Sequence, residues 1–486
     1  MLEIAKKVIK LILSIIGVFV VLILLLVGYI LIDFSPNPVI PPAGPNVVND
    51  ITQLNPISVS SVIAPTSIED IQNAIRSSSG KISIGGGRYS QGGQVALEDN
   101  LHLDMRQFNR VIAFSPEQKR ITVQSGIRWR DIQDVIDPEN LSIKIMQSYS
   151  NFTVGGSLSV NVHGRYIGEG PIIGSVASIK VVLADATVVE ASPSSNAELF
   201  YGVIGGYGGL GVIAEVSLDL VPNVKVSRET KYMSIEEYSA FFHTHVKDNE
   251  NIVFHNADIY PPHYTHVNSV SWAKTEQPLT VEERLIPRDK DYWWQPKTAE
   301  FVADSNFGKW LRQHVFEPLQ NSSEVVQWRN FEASYDVREL EPKNRIDATY
   351  ALREYFVPVD RFDSFSNKMA GIFNEYDVNV LNVSIRHAHP DKGSLLAWAR
   401  EEVFAFVVYY RQGTSDQDLD NVRKWSRELI DAAISEGGSY YLPYQLHATT
   451  EQFHAAYPRA KEFFALKSKV DPNNRFSNKL WEQHYP

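Results

Sequence analysis

Hydrophobic positions recur along this chain with two different periods. Between Thr66 and Gly80, Ile68, Ile71 and Ile75 fall on one helical face. Thr66 with Glu69 three residues on predicts a capping box, and Gly80 ends the helix. SVSSVIAP before this helix and KISIGGG after it predict strands, the second running into a glycine loop. From there the period is two: LHLDM, VIAF, RITVQSG, ASIKVVLADATVVEA and GVIAEVSLDLV alternate or run apolar between turns. Further along, Ser234 with Glu237 predicts a second capped helix, and EYFVPV, VNVLNVSIRH and VFAFVVYY predict the strands of a second sheet. The pattern is that of an α+β protein rather than a regular doubly wound sheet.

Ahead of all this, Leu11 to Ile32 is a run of 22 residues without a charge. About 20 apolar residues span a bilayer as a helix. Lys6, Lys7 and Lys10 precede the run, and Asp33 follows it. The positive-inside rule then places the N-terminus in the cytoplasm and the body on the extracytoplasmic, periplasmic side of a single-pass anchor. A cleaved signal peptide is the alternative, but its apolar region is usually about 7–15 residues, and IDFSPNPVIPP offers no A-x-A site. The five prolines between Ser35 and Pro45 predict a stiff, extended spacer.

Composition adds a division of the body. Of the 28 glycines, 19 lie between Gly80 and Gly211, whereas eight of the nine tryptophans follow residue 220. A glycine-rich half brings backbone close to a ligand; an aromatic-rich half predicts a separate domain, with the boundary near Val221-Pro222-Asn223. The net charge of −11 argues against nucleic acid, which is bound by neutralising phosphates with Lys and Arg. The absence of cysteine excludes disulfides, thiolate metal sites and a cysteine nucleophile.

Three small-residue stretches carry the candidate chemistry. Gly85-Gly86-Gly87-Arg88-Tyr89-Ser90-Gln91-Gly92 lets successive N–H groups converge on an anion, although glycine also serves simple turns. It lacks the Gly-Lys-Ser/Thr ending of a phosphate loop. Thr153-Val154-Gly155-Gly156-Ser157, with Asn161 and His163-Gly164, would let a flat ring lie on main chain, although a histidine beside glycine is more often structural. Gly206-Tyr207-Gly208-Gly209-Leu210-Gly211 matches G-x-G-x-x-G, but it follows a helical pattern and precedes a strand, the reverse of a dinucleotide fold. The pairs His243/His245, His263/His266 and His387/His389 supply too few ligands for a structural zinc site, so no metal is expected. No G-x-S-x-G elbow is present.

Taken in order, these stretches resemble the FAD-binding flavoprotein superfamily of vanillyl-alcohol oxidase and para-cresol methylhydroxylase, in particular its aldonolactone and alditol oxidases and decaprenylphosphoryl-ribose oxidase. GGGRYSQGGQ is similar to the superfamily's pyrophosphate loop and FTVGGSLSVNVHGR to its segment along the flavin. AELFYGVIGGYGGLGVIAEVSLDLVP resembles the strand closing the FAD domain, and EQFHAAYPRAKEFFALKSKVDPNNRFSNKLW the C-terminal return. The resemblance implies a two-subdomain PCMH-type FAD-binding domain at 54–223 and an α+β cap or substrate domain at 224–440. A C-terminal segment, 441–486, would return to the FAD domain. Ahead of them would stand an N-terminus and transmembrane anchor at 1–33 and a spacer at 34–53.

It also implies roles. Cofactor-binding residues would be Gly85, Gly86, Gly87, Arg88, Tyr89, Ser90, Gln91, Gly92, Thr153, Gly155, Gly156, Ser157, Asn161, His163, Gly211, Ile213 and Tyr441. Tyr89 stands where many relatives carry a histidine bonded covalently to the flavin, which implies non-covalent FAD. Tyr444 stands where one branch has a catalytic lysine. Ser384-Ile385-Arg386 matches an E-x-R pair, keeping the arginine and lacking the glutamate. Arg386, His163, Tyr409, Tyr444 and His447 are the catalytic candidates. The implied reaction is oxidation of a CH–OH group of a sugar, sugar lactone, polyol or lipid-linked sugar, with the electron acceptor open. The alternatives are a flavin-dependent reductase of a C=C or lipid substrate, and a flavin-binding module without turnover.

Overall fold

A computed structural model describes residues 44–292, 295–339, 345–391 and 393–486, with scattered residues between 6 and 28. The run Leu11–Ile32 falls largely outside the described residues, among which no helix is long and apolar enough to cross a membrane.

The glycine-rich half contains two sheets. Ser61–Ile63, Leu101–Asp104 and Ile82–Gly85 form a three-stranded parallel sheet with Leu101–Asp104 central. The crossover is the helix Ile68–Ser77. Its cap lies one residue beyond the expected position. Ser67 accepts from the Asp70 N–H, and the Asp70 carboxylate reaches back to the N–H groups of Ser67 and Thr66. Aspartate is short enough to close this box, which moves the cap from Thr66/Glu69 to Ser67/Asp70. SVSSVIAP is also divided, since Ile57–Ser58 pairs with Val47–Val48 and only Ser61–Ile63 joins the parallel sheet. The second sheet is antiparallel, in the order Val188–Ala191, Val176–Val182, Val212–Pro222, Arg120–Gln124, Val111–Ser115. Ile71, Ile75, Leu103, Val182, Val212 and Ala214 fill the space between the two sheets.

The chain changes sheet between Pro222 and Lys225. The second half is built on one antiparallel sheet of eight strands. Its order is Val326–Trp328, Lys225–Ser234, His266–Lys274, Ile252–Ile259, Val380–Ala388, Val403–Gly413, Ala348–Pro358, Ser439–Tyr440. Successive side chains on a strand point to opposite faces. One face is apolar: Ile385, Phe406 and Tyr355 are buried in a core shared with Phe362, Phe365, Trp425 and Leu429 of the helices Phe362–Glu375 and Asp416–Ser435. The other face is polar and forms a wall of the site.

From Tyr441 onward the chain returns to the glycine-rich half. Gln91 N–H donates to Pro443 O, and the Gln94 side chain donates to Leu442 O and Tyr444 O. Further on, Ile82 exchanges backbone bonds with Arg475 and Ser477. Lys467 is wholly buried, yet its ammonium donates to Gly209 O, Phe476 O and the Asp471 carboxylate at 2.8–2.9 Å, which satisfies all three donors. That cluster ties the C-terminal helices to the Gly206–Gly211 turn.

Candidate active site

A cavity of about 1300 Å³ separates the glycine-rich half from the polar face of the large sheet. Single-ligand pockets usually hold about 300–1,000 Å³, so this one has room for a cofactor and a substrate together.

One wall is made of backbone. Gly86, Gly87, Arg88, Tyr89, Ser90 and Gln91 line the cavity, as do Thr153, Gly155, Gly156, Ser157, Gly211 and Ile213. A Cβ on Gly86 would lie 2.3 Å from Thr153 Oγ1, and one on Gly155 would lie 2.7 Å from Ser125 Cβ. The glycine loop therefore packs closely against the Thr153–Gly156 segment, and that segment against Ser125; Thr153 Oγ1 accepts from the Gly87 N–H at 3.2 Å. Arg88 has φ 62° and pairs with Asp104 at 3.1 Å. Tyr89 stacks on Phe152 with ring centroids 4.0 Å apart.

Three expected cofactor residues are not in this wall. Gly85 turns to His102, whose ring a Cβ would approach to 2.7 Å. Gly92 packs beneath Tyr444 O, 2.4 Å from where a Cβ would sit. Asn161 is buried and structural: Nδ2 donates to Asp391 at 2.7 Å, and its carbonyl accepts from Trp398 Nε1 at 2.9 Å.

Arg88 Nε, Ser125 Oγ, Gln147 Nε2 and Ser148 Oγ are buried polar atoms on residues lining the cavity, and none has a hydrogen-bond partner among the described residues. Buried polar groups are almost always paired, so these four atoms fit a wall shaped for a polar ligand. Ser125, Gln147 and Ser148 lie outside every glycine motif, and no local sequence signal marked them.

The opposite wall is made of side chains. Strand register places Asn268, Asp258, Ser384, Val407 and Glu354 in one row across five strands, all lining the cavity. Arg386 and Tyr409 lie two residues from this row on the same face. The glutamate missing beside Arg386 is thus supplied from Ala348–Pro358, two strands away from Ser384. The Glu354 carboxylate meets His163 Nε2 through one oxygen and accepts from the Tyr444 hydroxyl, at 3.1 Å, through the other. Burial pushes the Glu354 carboxyl up, but His163, Arg386 and Tyr444 outweigh it and hold it below the ordinary value. Burial and the Glu354 charge push the Tyr444 phenol well up, so it is a donor. Burial lowers Arg386, with Glu354 opposing, and its Nε has no partner among the described residues.

Charges further along this wall are already matched. Arg165 pairs with Glu332 at 2.8 Å and Arg312 with Glu317 at 2.5 Å. Burial raises Asp258, which accepts from Asn382 at 2.8 Å. Tyr441 lines the cavity, while its hydroxyl is committed to Val160 O at 2.8 Å.

His447 is a correction. It bonds Arg353, which alternation points away from Leu352 and Glu354 toward Trp425 on the helical face, so His447 stands behind the sheet. His243 and His245 lie in a π-type turn, Phe242–Val246. His387 and His389 do meet a carboxylate, Glu402, but its oxygens already bond His387 and Lys247 at 2.7 Å each.

Comparison with known proteins decides the cofactor. Residues 59–192 match the family described as "FAD binding domain". Residues 59–192 therefore form an FAD-binding domain, and the chain is an FAD-dependent oxidoreductase. The enzyme is 23% identical to L-gulonolactone oxidase of Bos taurus over 432 residues, 86% of this chain and 93% of the relative. It is 25% identical to cytokinin dehydrogenase 5 of Arabidopsis thaliana over 462 residues, 85% and 82% of the two chains. A match to the mitochondrial L-galactono-1,4-lactone dehydrogenase of Brassica oleracea, 25% identical, spans 254 residues, 50% of this chain and 41% of the relative. The four orphaned polar atoms and the two glycine segments fit FAD, and the enzyme's backbone wall is where those residues would hold it.

Proposed function

We propose that the enzyme oxidises the CH–OH group of a sugar, sugar lactone, polyol or lipid-linked sugar, and that it does so from a single-pass anchor with the body on the extracytoplasmic side. The observation that carries this reading is the joining of Glu354, Tyr444 and His163, with Arg386 beside them, on a wall facing the FAD wall. FAD, when bound, supplies the acceptor for a hydride from the substrate carbon. Arg386 offers a buried Nε–H, without a partner among the described residues, where an alkoxide-like charge develops. Glu354, kept ionised by its neighbours, takes the hydroxyl proton, and Tyr444 holds that carboxylate in position. The names of the gulonolactone and galactono-1,4-lactone relatives support a lactone substrate.

The test is anaerobic: aldonolactones, polyols and isoprenoid-linked sugars are screened for bleaching of the flavin band. Rapid bleaching by one class fixes the substrate. No bleaching by any carbinol would leave the reductase reading or a module without turnover. Non-covalent attachment is part of the proposal, supported by Tyr89 in the histidine's place. Acid precipitation should release all yellow colour, and colour in the pellet would overturn it. For topology, a reporter active only outside the cytoplasm should work when fused after Pro486.

A further inference from the structure

The cavity is covered by a helical lid that no sequence motif announced. Gln295–Asp304 leads into Asn306–Leu311, which continues through Arg312–Phe316 to Glu317–Asn321. Its inner side is latched by polar contacts. Arg312 donates to Leu381 O and Asn382 Oδ1 at 2.7 and 3.1 Å, Glu317 accepts from Tyr260, and Lys309 donates to Asn379 at 2.9 Å. Its outer side is apolar. Phe307 is 59% exposed, Trp310 50% and Leu319 67%. Phe307 and Trp310 stack, and Trp310 stacks again on His314 one turn on, which makes a continuous aromatic stripe. Among residues 44–486 the exposed large hydrophobics that are described number eight; the lid carries these three, and its Gln313 touches a fourth, Tyr232. Leu319 both lines the cavity and is exposed, so the mouth opens beside the stripe. A clustered apolar patch of this kind marks an interaction site rather than scattered surface residues.

The choice of partner follows from the other end of the chain. Thr52 O accepts from Thr349 Oγ1, and the next residue, Tyr350, packs with Ala303 of the lid and Leu381 in one buried cluster. The segment arriving from the apolar run pairs with the body first at Val47–Val48 and by Thr52 lies beside the strand that touches the lid's edge. Only residues 33–43 separate Ile32 from the described body. Eleven residues reach at most about 40 Å, whereas a compact body of this size is about 60 Å across. The part of the body where residue 44 begins is held near whatever surface holds Leu11–Ile32, and the lid's edge lies by Thr52, eight residues further along the chain.

We propose that the outer face of the lid is a bilayer-contacting surface: Phe307, Trp310 and Leu319 sit in the headgroup region and turn the cavity mouth toward lipid. Indole rings favour that interface, and an amphipathic helix lies in its plane. A lipid-linked carbinol then enters without crossing water. The proposal rests on the anchor reading above, and the experiment separates the two. The chain has no cysteine, so full-length Trp310→Cys takes a single nitroxide, with Lys424→Cys on the helix Asp416–Ser435 as control. Both are reconstituted in bilayers of equal parts phosphatidylcholine and phosphatidylglycerol, and relaxation by oxygen is compared with relaxation by a water-soluble nickel chelate. The label at 310 should be several-fold more oxygen-accessible relative to chelate than the label at 424, and Phe307→Cys should repeat the result one turn earlier. Retained flavin absorbance shows each variant folded. Protein that floats with vesicles but shows equal chelate access at 310 and 424 overturns the lid surface and leaves the anchor standing. Protein that does not float overturns both. A label at 310 shielded in a dimer without lipid overturns it in favour of a second copy.

Discussion

The two walls of the cavity solve different problems with different materials. On one side Gly86, Gly87, Gly155 and Gly156 bring main chain to the surface, and the side chains that do appear are neutral, apart from Arg88 paired with Asp104. On the other side Glu354, Arg386 and Asp258 project from strands of the large sheet into the cavity, with Arg312 added from the lid. A backbone wall offers fixed dipoles that need no alignment and suits a ligand that stays bound. A charged wall costs desolvation and is worth building only where charge moves. The division assigns cofactor retention to the first wall and chemistry to the second, so substitutions in the two should fail in different measurements.

The largest separation is expected at Arg386 and Glu354. Arg386→Ala and Glu354→Gln should each bind FAD normally, yet slow flavin reduction by a good substrate roughly 10²- to 10³-fold, the scale for losing one preorganised electrostatic group. Arg386→Lys should recover part of the rate, because it keeps the charge and loses the planar fork. Stopped-flow absorbance at saturating substrate decides it; wild-type rates in both variants would make this wall structural. Tyr444→Phe comes next. It removes one donor from the Glu354 carboxylate, and a hydrogen bond to a charged group is worth about 1.5–3 kcal/mol. Reduction should slow by about tenfold or more, and the acid limb of its pH profile should move up, since the carboxylate loses a group that stabilises its ionised form. An unmoved acid limb would detach Glu354 from the proton transfer.

The backbone wall is tested by Gly155→Ala. The new methyl would sit 2.7 Å from Ser125 Cβ and 3.1 Å from Ser125 O, so the two segments must part. FAD should bind roughly tenfold more weakly, about 1.4 kcal/mol, while the reduction rate of the loaded enzyme stays near wild type. Titration of apoprotein with FAD measures the first, and stopped flow the second. A slowed rate with unchanged affinity would reverse the assignment of the walls.

What the sequence showed follows the same division. The backbone wall was legible because glycine leaves a local signature: GGGRYSQGGQ and TVGGS point to close main-chain approach wherever they fold. The charged wall was not, because it depends on register. Glu354 lies in EYFVPV, which reads only as a strand, and its place in a row with Ser384 is set by pairing Val407 to both neighbours. His447 was misplaced for the same reason: its partner Arg353 differs from Glu354 by one residue and so by one face of the sheet. The expected boxes at Thr66 and Ser234 show the scale of local error, one residue in the first and none in the second. The lid left no signal because its function lies in which side of a short helix stays exposed, which only packing decides.

The smallest effect concerns what stands behind the backbone wall. His102 is wholly buried under Gly85, its Nδ1 2.9 Å from Ser83 Oγ and its Nε2 without a partner among the described residues. Burial, aided by the charges of Arg88 and Arg106 and opposed by Asp104, brings its pKa down to about 4. Since the unfolded chain titrates near 6.5, it binds the extra proton first. Between about pH 6.5 and 4 the unfolded state therefore carries more protons, and stability rises with pH across that window. The contribution is complete above the unfolded value and is lost as pH falls toward the folded one. A shift of this size corresponds to at most about 3 kcal/mol. His255 and His484, lowered by burial to about 3 and 4, add slope of the same sign, so the wild-type curve alone does not isolate His102. The difference between wild type and His102→Gln does, because glutamine takes no proton. Denaturant midpoints measured from pH 7 to pH 4 should converge as the pH falls, the wild type losing its advantage over the variant. Parallel curves would mean that His102 takes up its proton equally in the folded and unfolded chain, so that burial behind the backbone wall does not hold it neutral.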